Sequence, residues 1–210
     1  MKEEIERLIE NDDWTGARSL ILSACTDNPT DHWLITRLSL TYYEERDYRK
    51  ALEYSRRAVE LKSDCPLVLW DLAGALQMLA QHTEAIDTYD RIIRQGLRRL
   101  VHGACGEGKA WARGLIADSF YRVSVSFKAL GARSMSLEAF AQHLEIRGPG
   151  CRSIYPLRTL DELRAGQIPR NKRPGLTRRC SRPVTPAIAA TMRRTKQRRV
   201  KSRRAGAPGG

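Results

Sequence analysis

One distance recurs through the first part of the chain and limits what it can fold into. Ala17 and Ala24 stand seven residues apart. Ala51 and Ala58 repeat that pair 34 residues later, and Ala85 and Ile92 repeat it 34 residues later again. Other positions keep the same register: Leu8 with Tyr42 and Leu76, Ile21 with Ser55 and Tyr89, Leu38 with Leu72, and Trp14 with Tyr48. A fourth copy follows out of phase, with Phe127, Ser136 and Phe140 each 51 residues after Leu76, Ala85 and Tyr89. That is one period plus 17 residues, which places an insertion at about 100–116. Agreement at this many positions sets aside an unrelated bundle with a chance period, because self-similarity at fixed spacing marks a repeat architecture.

The content of each copy defines its shape. Apolar residues recur at three- and four-residue spacing, as in Leu34, Leu38, Tyr42 or Ala85, Tyr89, Ile92, the pattern of an amphipathic helix. Small residues fall where two helices must cross closely. Asn11-Asp12-Asp13, Asp27-Asn28-Pro29 and Ser63-Asp64-Cys65-Pro66 punctuate the runs, and Pro66 suits a first helical turn, where its missing N–H costs nothing. Each copy therefore reads as a helical hairpin, with units at about 1–31, 32–65, 66–99 and 117–150.

These units resemble tetratricopeptide repeats. The second carries the pattern best, in Ile35, Leu38, Ser39, Tyr42, Tyr48, Ala51 and Ala58; the third carries it in Leu69, Leu72, Ala73, Leu76, Ala85 and Tyr89. The first keeps Trp14, Ala17, Ala24 and Pro29, and the fourth is degenerate, with Ser136 and His143 where alanines are expected. The resemblance implies an all-α, right-handed solenoid of about four hairpins that binds a peptide or partner helix in its concave face. It places Thr36, Tyr43, Trp70, Gly74, Gln77, Met78, Tyr121 and Lys128 on that face, the aromatics being either contact residues or packing residues. The charged carboxylate clamp of some members is not matched, because these positions are mostly neutral.

Charge divides the chain. Residues 1–150 carry 20 basic and 22 acidic side chains, and residues 151–210 carry 17 and 2. Leu157–Leu163 reads as a short cap within 151–164. From 165 onward the sequence is basic and interrupted by proline, a composition expected to be disordered. Arg193, Arg194, Lys196, Arg198, Arg199, Lys201, Arg203 and Arg204 would attract nucleic acid without sequence preference, against the plainer reading of a solvated tail. Retention on a polyanion column that disappears on deleting 165–210 would establish the first; unchanged retention would exclude it.

Other readings are weaker. Gly103-Ala104-Cys105-Gly106-Glu107-Gly108-Lys109-Ala110 approaches a phosphate loop, but Ala110 stands where a hydroxyl is required and no strand precedes it; a loop feeding a lengthened helix fits better. His102 and Cys105 have metal-ligand spacing without a second pair, so no metal and no cofactor are expected. The histidines are scattered and no catalytic motif assembles, which points to a non-enzyme. Five cysteines without a C-x-x-C pair, an acidic N-terminus unlike a secretory signal and no apolar run of membrane-spanning length suggest a cytoplasmic protein.

Overall fold

The computed structural model describes residues 1–148 and 150–155. They form eight helices: α1 (Lys2–Glu10), α2 (Trp14–Asp27), α3 (His32–Glu44), α4 (Tyr48–Leu61), α5 (Pro66–Met78), α6 (His82–His102), α7 (Lys109–Ala129) and α8 (Arg133–Ile146). There is no strand among the described residues. Each helix packs on the next in chain order, and α3 also touches α5, so the fold is a helical-hairpin solenoid of tetratricopeptide-like units.

The 34-residue period is written into the backbone as well as the side chains. Within each hairpin the turn places one residue at positive φ: Asp12 (61°), Arg46 (68°), Ala80 (60°) and Gly131 (76°). These positions are separated by 34, 34 and 51 residues. The next residue then donates its N–H back across the turn, from Asp13 to the Leu8 carbonyl, Asp47 to Tyr42, Gln81 to Leu76 and Ala132 to Phe127, at 2.9–3.0 Å. Such left-handed closure satisfies carbonyls that a helix end would otherwise leave bare. Asp13 and Asp47 also cap α2 and α4, accepting from the Gly16 and Lys50 N–H groups.

Ala17, Ala51 and Ala85 are wholly buried, as are Ile21, Tyr89 and Phe140 at the next repeat position. Where the alanine gives way to Ser136, the hydroxyl donates to the Ser124 carbonyl at 2.8 Å, so a polar substitute survives inside the fourth hairpin. His143 is likewise buried and its Nδ1 lies 2.7 Å from the Ala117 carbonyl oxygen. α5 is buried almost all round, from Pro66 to Gln77, which makes it the centre of the stack.

The extra residues go into helix as much as loop. α6 continues past Gly96, which breaks helical geometry at φ 71° and ψ 162°, and ends at His102. α7 then starts at Lys109 and runs 21 residues. Residues 151–155 return along α7, with the Arg152 N–H donating to the Ala110 carbonyl and Ser153 and the Ile154 N–H donating to Asp118. Gly114 permits this approach, since a Cβ there would lie 2.2 Å from the Arg152 carbonyl oxygen. The proposed cap at Leu157–Leu163 and the basic segment from 165 lie outside the described residues. No described helix is long and apolar enough to cross a membrane.

Candidate partner-binding groove

The inner helices carry the residues that the repeat resemblance assigns to a concave face, and most of them are occupied by one another. Thr36, Tyr43, Trp70 and Gln77 are buried. Trp70 is 1% exposed and meets Tyr89 edge-on at 5.4 Å between centroids. Gln77 donates from Nε2 to the Arg122 carbonyl and to Ser126 Oγ. Gly74 opens no hollow, because a Cβ there would meet the Tyr43 ring at 3.5 Å and the Arg122 guanidinium at 3.6 Å. Tyr121 is half-buried and stacks on Tyr155 at 4.1 Å; Met78 is half-buried, and Lys128 is exposed at the end of α7. Burial leaves Thr36, Tyr43, Trp70 and Gln77 almost no surface for a partner.

Arg122 explains much of this filling. It is buried on α7 and donates to Tyr89 Oη at 2.9 Å and Tyr43 Oη at 3.3 Å. One guanidinium thus ties α7 to α6 and to α3, across the glycine of α5. Two further buried ionisable residues occupy one repeat position, Arg37 and Asp71, 34 residues apart. Arg37 pairs with Glu6 at 2.7 Å and lies over the Trp33 ring. Neither Asp71 carboxylate oxygen has a hydrogen-bond partner among the described residues. Burial pushes its pKa up to about 8, opposed by the Arg37 charge and reinforced by Glu44. Burial also raises Asp118, to about 7, against the hydrogen bonds from Ser153 and Ile154. Sequence pattern alone hides these residues, because charges at helical spacing ordinarily read as a solvated face.

An open apolar surface lies instead between α6, α7 and α8. Ile86, Ile93, Phe120, Val123, Phe127 and Met135 line a cavity of about 310 Å³, and Asp87, Asp90 and Glu138 stand at its edge. Met135 is 48% exposed, more than a core methionine would be.

The glycine loop is built for packing rather than for phosphate. The Gly103 N–H donates to the Arg99 carbonyl and the Gly106 N–H to the Gly103 carbonyl. A Cβ on Gly106 would lie 2.5 Å from the Leu100 carbonyl oxygen. The loop turns on carbonyls and spends N–H groups that a phosphate cradle needs free. His102 is exposed, and the Cys105 sulfur lies beside His32, with Sγ and Nε2 3.7 Å apart. Burial lowers the His32 pKa and raises the thiol of neighbouring Cys65 to about 12.

Stacked helical hairpins with a filled inner face and an apolar outer groove define a tetratricopeptide-like solenoid. Among solved structures, the chain is similar to a crystal structure of MamA, at 19% identity and a TM-score of 0.53 over 67% of this chain and 72% of that one. It is also similar to MamA residues 41 to the end from Desulfovibrio magneticus RS-1, at 10% identity and a TM-score of 0.56 over 69% and 72%. At these identities the likeness is one of fold. No protein-family model matches the sequence, and no curated protein matches it either.

Proposed function

We propose that the protein is a non-catalytic scaffold that captures a helical segment of another protein, and that it does so in the groove between α6, α7 and α8. The apolar floor with Asp87, Asp90 and Glu138 at its rim carries this reading. An amphipathic helix laying its apolar stripe into such a groove is a common mode of peptide recognition, and acidic rim residues favour a partner with basic flanks. The likeness to MamA structures supports the solenoid on which the groove is built, and the hairpin array offers binding surface without a catalytic set.

The test uses two synthetic amphipathic helices with the same leucine stripe, one flanked by lysines and one by glutamates. The lysine-flanked peptide should bind the full chain measurably more tightly in fluorescence anisotropy. Met135→Glu should weaken it roughly tenfold or more, the cost of placing a charge in an apolar contact. Equal binding of both peptides, or binding indifferent to Met135→Glu, would contradict the groove assignment. Nucleic-acid attraction through Arg193–Arg204 is a separate reading supported by the charge of the C-terminal segment, and it concerns residues outside those described.

A further inference from the structure

His32, Cys65 and Cys105 converge from three separate parts of the chain. His32 is the first residue of α3, Cys65 stands immediately before α5, and Cys105 lies in the glycine loop between α6 and α7. Their ligand atoms all lie within 4.8 Å of one another, with His32 Nε2 and Cys105 Sγ at 3.7 Å. In a tetrahedral zinc site with Zn–S near 2.3 Å and Zn–N near 2.0–2.1 Å, neighbouring ligand atoms are about 3.5–3.8 Å apart. One contact already meets that spacing, and the others require at most a shift of about 1 Å, within reach of side-chain rotation.

Three features suit this cluster to a ligand. Cys65 occupies the N-cap of α5, where Asp31 caps α3 one repeat earlier by accepting from the Trp33 N–H. The cysteine makes no full side-chain cap hydrogen bond, and the Leu67 and Val68 N–H groups near its sulfur favour the thiolate. Cys105 has no counterpart in the repeat and belongs to the inserted loop, whose folding back on the α6 carbonyls delivers it to the other two. A cavity of about 50 Å³ adjoins both cysteines, with Lys62 and Asp64 beside it. It holds room for one water as a fourth ligand.

We propose that His32, Cys65 and Cys105 form a binding site for a thiophilic d10 cation, zinc(II) or copper(I). Two thiolates and a neutral imidazole match the preference of both ions for sulfur and nitrogen. Two negative sulfurs would also neutralise a divalent ion at a site that is half-buried. Binding displaces two thiol protons to solvent and forms two metal–sulfur bonds and one metal–nitrogen bond, with no change of oxidation state. The site would pin the inserted loop to the beginnings of α3 and α5, tying the second and third hairpins to the insertion.

The test is a cobalt(II) titration of the reduced full chain, read by the thiolate-to-cobalt charge-transfer band and followed by displacement with zinc or copper(I). One cobalt per chain is expected. Displacement by zinc in competition with a zinc chelator identifies that ion, and displacement by copper(I) alone identifies the other. His32→Ala, Cys65→Ser and Cys105→Ser should each lower affinity by more than the roughly 10–100-fold that loss of a supporting contact costs. His102→Ala, Cys25→Ser and Cys151→Ser should keep it. Circular dichroism of each variant confirms that it is folded. Absence of the band in the folded reduced chain, or equal binding by the three ligand variants, would overturn the site. So would a Cys65–Cys105 disulfide in a chain that takes up no metal after reduction.

Discussion

Trp70→Ala is expected to lower the unfolding free energy by about 3–5 kcal/mol, the usual cost of removing a large buried aromatic. Trp70 sits in α5, the helix buried on nearly every side, and packs edge-on against Tyr89 of α6. Its loss would leave a cavity at the centre of the stack, where neighbouring helices are held on both sides and can collapse only partly. In urea denaturation followed by far-UV circular dichroism, the midpoint should fall sharply with little change of slope. A loss under about 1 kcal/mol would mean that Trp70 is a surface residue of an open groove, contrary to the structure. A binding defect in this variant would therefore report unfolding before it reported lost contact with a partner.

Asp71→Asn should act in the opposite direction and depend on pH. The ordinary pKa of 3.8 rises to about 8 in the fold. Between those values the folded protein holds a proton that the unfolded chain has released, so stability falls as pH rises through the window. This is the reverse of a salt-bridged carboxylate. Asparagine keeps the shape and removes the titration. The variant should gain on the order of 2–4 kcal/mol over the wild type at pH 8 and close to nothing at pH 4. A slope of the same sign should remain up to about pH 7 from Asp118, whose pKa is also raised by burial. A variant destabilised equally at both pH values would show instead that Asp71 is an ionised partner of Arg37.

The helical hairpins are legible in the sequence because their physics is local. Small residues at crossings, apolar residues at helical spacing and polar turns repeat at one interval, and the same interval reappears in the positive-φ turns at Asp12, Arg46, Ala80 and Gly131. The inner face is not legible in this way. Its filling depends on Arg122, which reaches Tyr43 from 79 positions away in the chain, and nothing around Arg122 in sequence distinguishes it from a surface arginine. The family resemblance supplied positions for a concave face, but it carries no information on how far α7 leans across that face. His102 and Cys105 are three residues apart in sequence, but the histidine beside the Cys105 sulfur is His32. His32 stands 73 residues from Cys105, and only tertiary structure joins them.

Hydroxyl-radical footprinting of the full chain, read by mass spectrometry, addresses the arrangement most directly. It compares each side chain with itself in denatured protein. Trp70, Tyr43 and Tyr89 should be strongly protected, while Met135 on the outer groove should be oxidised at a rate approaching that of the denatured chain. Trp70 and Tyr43 reacting as freely as Met135 would mean an open inner face, and would contradict both the filled core and the outer groove as the place where a partner docks.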